Sequence, residues 1–186
     1  GVYAPFDPRN ISTRSVFASG IYTNETQPST IGKILVGGDF TALVGVDGVN
    51  RLARLNLDGT LDAGFRSGSG LGPNGPVRAV AVQPDGKALF GGFFTTYDFI
   101  SRAYLGRVNA DGTLDNTFNF GAGLNNAVLA IALQPDGKAI VGGLFTEVYG
   151  TSRNSIARVN VNGTVDVTFN PGTGANNIVN AVVVQP

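Results

Sequence analysis

The chain has 186 residues with 13 basic and 13 acidic side chains, hence no net charge, and only 14% of its residues are charged against a typical share of about 25%. Glycine (27) and proline (9) are abundant, whereas Cys, His, Met and Trp are absent, which excludes thiolate and imidazole metal sites, disulfides and any nucleophilic triad built on His or Cys. Sparse, balanced charge speaks against a nucleic-acid or anionic-membrane partner, and the longest apolar run, Ala127 to Leu133, is far short of the ~18 residues a spanning helix takes.

In chain order, residues 1–15 read as the tail of a repeat, because Pro5-Phe6-Asp7-Pro8 resembles the Phe169-Asn170-Pro171 that closes the last full copy. Residues 16–76 form a first repeat, opening on the strand Val16 to Ile21 and continuing through an extended polar hairpin loop from Tyr22 to Gly32. Residues 77–127 form the second, opening on Val77-Arg78-Ala79-Val80-Ala81-Val82-Gln83-Pro84-Asp85-Gly86-Lys87. The same pattern returns 51 residues later at Val128, opening the third repeat (128–178), and begins again at Val179 as the first strand of a further repeat (179–186). A Gly-Gly-x-Phe-Thr signal recurs at Gly37, Gly91 and Gly142, and Arg-x-Asn-x-(Asp/Asn)-Gly-Thr-x-Asp recurs from Arg54, Arg107 and Arg158.

Within each repeat the apolar residues alternate with period two between turn clusters, which predicts strands rather than helices. Pro-Asp-Gly and Asx-Gly suit three-residue hairpin loops with glycine in the left-handed position. Such a loop sets Arg54 opposite Asp62, Arg107 opposite Asp115 and Arg158 opposite Asp166, an ion pair on one face. Leu55/Leu61, Val108/Leu114 and Val159/Val165 form an apolar pair on the other. These ion pairs are expected to be exposed and to set register more than stability. Four short antiparallel strands per ~51-residue unit predict an all-β chain of β-propeller blades, with small residues such as Ala79 and Ala130 on the innermost strand. Three blades leave the ring incomplete, so further blades of a larger protein, or other copies of the chain, are the expected neighbours. An open β-repeat stack or fibre subunit is the alternative architecture.

The joint motif, Gln-Pro-Asp-Gly-Lys running into Gly-Gly-x-Phe-Thr and then Arg-(Leu/Val)-Asn-x-Asp-Gly-Thr-x-Asp-x-x-Phe, resembles the bacterial delta-60 repeat family over nearly the whole chain. That resemblance implies β-propeller blades and a place in large secreted or surface-attached proteins, and it brings no established catalytic residues. The first repeat departs from the pattern by lacking the Pro-Asp-Gly-Lys turn.

Asn56-x-Asp58-Gly59-x-x-Asp62 could suggest a calcium loop, but each copy offers two carboxylates at most and the third places Asn162 where the others have Asp, short of the six to eight oxygens calcium takes. The pattern is read as a turn with a cross-strand ion pair, with neither metal nor cofactor. Lys33, Lys87 and Lys138 share one repeat position and are read as solubilising edge residues. Catalytic residues should break a repeat, and the carboxylates follow it, so no enzyme activity is expected. The aperiodic aromatics of the connecting loops, Tyr22, Tyr97, Phe99 and Tyr149, are the candidate ligand contacts. The expected function is a non-enzymatic scaffold or adhesion module outside the cell or at its surface, with a lectin-like carbohydrate- or protein-binding module and a self-assembling fibre subunit as alternatives.

Overall fold

The computed structural model describes residues 15–23, 29–43, 46–65, 70–118 and 123–185, so almost all of the expected N-terminal repeat tail lies outside the described residues. The first repeat contains β1 (Val16–Ile21), β2 (Ile34–Gly38), the two-residue strands β3 (Ala42–Leu43) and β4 (Val46–Asp47), and β5 (Leu52–Leu55). The second repeats this order as β6 (Val77–Val82), β7 (Ala88–Gly92), β8 (Thr96–Tyr97), β9 (Ile100–Ser101) and β10 (Leu105–Val108). The third does so as β11 (Val128–Leu133), β12 (Ala139–Gly143), β13 (Glu147–Val148), β14 (Thr151–Ser152) and β15 (Ile156–Val159). Each repeat is thus one antiparallel three-stranded sheet, ordered β1-β2-β5, β6-β7-β10 and β11-β12-β15, with a small hairpin beside it. Every described regular element is β, as the period-two pattern predicts, and the sheets are successive blades of an incomplete propeller.

The turn chemistry closes the hairpins. Gln83 N donates to Lys87 O at 2.8 Å and Gly86 N to Gln83 O at 3.0 Å, with Gly86 at φ +85°. In the first repeat the longer loop closes on the equivalent pair, Tyr22 N to Lys33 O at 3.0 Å. The innermost strands β1, β6 and β11 lie side by side, and the diglycines explain how closely they approach. A Cβ on Gly37 would sit 2.6 Å from Val77 Cγ1, and one on Gly91 would sit 2.7 Å from Val128 Cγ1, so the first glycine admits the next blade. A Cβ on Gly38, Gly92 or Gly143 would instead run into the backbone carbonyl of Ser15, Pro76 or Ala127, so the second admits the bulge at the start of its own inner strand.

Hydrophobic clusters fill the spaces between blades. Tyr22, Leu35, Val77, Phe90, Phe94 and Tyr97 belong to the cluster joining the first two, and Leu105, Phe118, Val128, Val141 and Phe145 to that joining the second and third. Phe169, which ends the third repeat, is only half-buried, whereas its counterparts Phe65 and Phe118 are buried beneath the following blade.

The predicted fourth strand is much shorter than expected. It survives as single antiparallel bridges, Leu55 to Leu61, Val108 to Leu114 and Val159 to Val165. The reason is local. The next residue, aspartate, turns the chain by accepting backbone N–H bonds two residues on, from Gly64 at 3.0 Å, Thr117 at 2.9 Å and Thr168 at 2.9 Å.

Candidate functional site at the blade junctions

The three arginine–aspartate pairs stand in the predicted register. Arg54 Nε donates to Asp62 Oδ2 at 2.6 Å, Arg107 Nε to Asp115 Oδ2 at 2.8 Å, and Arg158 Nε to Asp166 Oδ2 at 2.9 Å. Their environment corrects the sequence reading, because they are not exposed: Arg54, Asp62, Arg107, Asp115 and Asp166 are all buried. Each guanidinium also lies over the ring that ends its repeat, Arg54 over Phe65, Arg107 over Phe118 and Arg158 over Phe169, at 4.9, 4.4 and 5.1 Å from the centroid. The aromatic wall shuts out water and adds a cation–π contact.

The lysines are also more than edge residues. Lys33, Lys87 and Lys138 donate to the same carboxylate oxygens, those of Asp62, Asp115 and Asp166, at 2.9, 2.8 and 2.8 Å. Each repeat therefore holds a Lys–Asp–Arg triad in which one carboxylate binds two cations. Burial pushes the Asp115 carboxyl up, but the bonds from Lys87 and Thr117 and the charge of Arg107 outweigh it and hold it far below the usual range. Lys138, Thr168 and Arg158 do the same for Asp166.

The arginine also crosses the junction, a role that in-repeat pairing does not signal. Arg54 Nη1 donates to Ala110 O of the second repeat at 2.5 Å, and Arg107 Nη1 to Val161 O of the third at 2.8 Å. Both acceptors sit at the same place in the Asx-Gly turn. Among the described residues no carbonyl takes the corresponding donor of Arg158, whose side chain is 22% exposed against 4% and 6% for Arg54 and Arg107. A cavity of about 550 Å³ lies at the second junction, lined by Arg107, Thr117, Lys138, Asn160, Val161 and Asn162.

The aromatics selected as ligand contacts are not gathered at one place. Tyr22 and Tyr97 have fully buried rings, so neither reaches a ligand. Tyr97 donates its hydroxyl to Gly112 O at 2.5 Å, tying a small hairpin to the Asx-Gly turn. Burial raises the Tyr22 hydroxyl above its ordinary pKa against the pull of the neighbouring Arg54. Tyr149 is half-buried against the second junction, and burial likewise lifts its hydroxyl pKa. Phe99 differs: it is 80% exposed at the tip of the β8–β9 hairpin with φ +65°, where the third repeat places Gly150 at φ +75°. A bulky side chain in the left-handed region is a strained choice. The departure from the repeat that selects these aromatics from sequence cannot tell an inward hairpin face from an outward one in a two-residue strand.

No curated protein matches the chain at a significant level. A family model described as a β-propeller domain of unknown function, DUF5122, matches three segments, residues 32–65, 83–118 and 134–169. Each segment contains one Lys–Asp–Arg triad with its diglycine strand, and together they cover more than half of the sequence. The chain belongs to the DUF5122 β-propeller family.

Proposed function

We propose that this is a non-enzymatic scaffold, at the cell surface or outside the cell, whose blades are one stretch of a longer array of the delta-60 kind. One observation carries the reading: the arginine of each blade is built to reach the turn carbonyl of the next, and Arg158 presents the third such donor on an open edge. Residues from Val179 onward already lie where the next inner strand belongs, with Val179 N donating to Gly143 O at 3.2 Å and Val179 Cγ1 packed over Gly142. The neighbour that fits this edge is a further blade of the same repeat. The absence of enzyme activity is supported by the use of the carboxylate common to all three repeats, that of Asp62, Asp115 and Asp166, which is neutralised by two cations rather than left to accept or donate protons.

The test is to extend the chain beyond Pro186 with a copy of residues 136–178, which rebuilds a fourth blade on the existing inner strand. The expected result is a higher unfolding midpoint, with Arg158→Gln, mild in the present chain, becoming as costly as Arg107→Gln. An appended blade that leaves the midpoint unchanged overturns the reading. Protease accessibility of the chain on intact source cells tests the placement, and protection until lysis would overturn it.

A further inference from the structure

The triads recur in all three repeats, as a structural device should. One cation does not. Across the innermost strands β1, β6 and β11, whose sequences are VFASGI, VRAVAV and VLAIAL, Arg78 is the single charged residue. The register makes Phe17, Arg78 and Leu129 equivalent, since the residues before them, Val16, Val77 and Val128, pair with Gly38, Gly92 and Gly143. The Arg78 guanidinium carbon lies 3.8 Å from the centroid of Phe17, on the blade before it, and 5.6 Å from that of Phe93, on its own. All three side chains are exposed, with Phe17 at 40% and Phe93 at 43%. The other described arginines each donate to a carbonyl, an amide or a carboxylate. Among the described residues Arg78 has neither a hydrogen bond nor an ion pair. One repeat further on, Leu129 and Leu144 replace Arg78 and Phe93, so the blade architecture does not require this cluster.

We propose that Arg78, Phe17 and Phe93 form a binding site for a uronate unit of an acidic polysaccharide. Stacking on Phe17 holds the guanidinium by its face and leaves its edge, with the forked N–H donors, open to solvent. That fork donates two parallel hydrogen bonds to a carboxylate. The exposed ring of Phe93 beside it offers an apolar surface for the C–H face of a pyranose. The exposed ring beside the lone charge selects the ligand class: a carboxylate carried on a pyranose engages the Arg78 fork and the Phe93 face together, whereas a phosphate or a glutamate carboxylate engages the fork alone.

The test uses the chain as it stands and trigalacturonate as the probe, followed by isothermal titration and by ¹⁵N chemical-shift mapping at low ionic strength. Expected are shifts centred on Arg78 and Phe93, and at least tenfold weaker binding for the Arg78→Gln variant, for Phe93→Ala, and for the methyl-esterified trisaccharide with the unaltered protein. Arg102→Gln, which alters a half-buried arginine already bonded to Ser101 and Asn116, should bind like the parent. Near-ultraviolet circular dichroism confirms that each variant keeps the fold. Absence of binding, equal binding by the ester, or undiminished affinity in Arg78→Gln overturns the proposal. Tighter binding of triglutamate than of trigalacturonate also overturns it, leaving an anion-binding arginine with no sugar specificity.

Discussion

Replacing Asp115 by asparagine separates the charge of the triad from its shape. Asp115 is 3% exposed and accepts four hydrogen bonds: Lys87 Nζ at 2.8 Å, Arg107 Nε at 2.8 Å, Thr117 N at 2.9 Å and Thr117 Oγ1 at 2.6 Å. Asparagine can keep both bonds from Thr117 through its carbonyl, so the turn survives. The oxygen that receives the two cations becomes a neutral amide, and Arg107, with a side chain only 6% exposed, is left buried beside Lys87 without a counter-charge. Breaking one partner of such a pair costs ~3 kcal/mol, the lower end of the usual range because Lys87 is 30% exposed and screened by water. That is a large part of the ~5–15 kcal/mol that holds a domain of ordinary stability together. Urea unfolding followed by far-ultraviolet circular dichroism measures it, with Lys87→Met as the comparison, expected to cost less than about 1 kcal/mol because it removes the exposed arm alone. The acid limb gives a second reading. The folded-state carboxyl is depressed, so its stabilisation is complete above the unfolded pKa of about 3.9 and is lost as pH falls below it. The Asp115→Asn variant should therefore show a shallower loss of stability below about pH 4 than the parent does. A cost of less than about 1 kcal/mol for Asp115→Asn, or an equal cost for Lys87→Met, would refute the buried-triad argument.

The glycines give a graded series. Gly91→Ala puts a Cβ 2.7 Å from the stiff Val128 side chain and should cost ~1–3 kcal/mol by overpacking. Gly92→Ala meets the Pro76 carbonyl and should prevent the second blade from forming, whereas Gly48→Ala enters open space at φ +81° and should cost ~1 kcal/mol of backbone strain alone. Equal melting points for the three would refute the assignment. Tyr97→Phe removes the bond to Gly112 O and should lower stability by ~1 kcal/mol in urea, with no effect on sugar binding. Phe99→Gly relieves a positive φ at an exposed tip and should raise stability by ~0.5–1 kcal/mol after the added freedom of the unfolded chain is deducted; a lower midpoint would mean that the ring is held by contacts rather than strained.

What was legible in the sequence was whatever a short span determines. The Asx-Gly and Pro-Asp-Gly turns specify loop length, loop length specifies register, and register alone puts Arg107 beside Asp115 and Val108 beside Leu114. What stayed hidden depends on neighbours distant in the chain. Burial of the ion pairs follows from the next blade closing over them, the lysine arm from residues 28 or 29 positions away, and the Arg-to-carbonyl bond from residues 54 or 56 away. Tyr97 was misread for a related reason. Its hairpin strand has two residues, too few for alternation to show a face, and the acceptor that buries its hydroxyl lies on another hairpin. The fourth strand was over-read because its aspartate matched a strand pattern while its side chain was capping a turn.

The repeat itself separates what builds the molecule from what the molecule does. A device needed for stacking must appear at every junction, and the diglycine, the terminal phenylalanine and the Lys–Asp–Arg triad all do. Because they recur in every repeat, the blade architecture accounts for their presence. Arg78, whose repeat equivalents are Phe17 and Leu129, and Phe99, whose counterpart is Gly150, are among the described residues that fail that criterion while remaining exposed. Arg78 keeps its hydrogen-bonding edge in water, and Phe99 adopts a backbone conformation its side chain disfavours. Blade packing requires neither, so recognition is expected to concentrate on the second repeat, where both occur, and the flanking blades should serve to hold that repeat rigid.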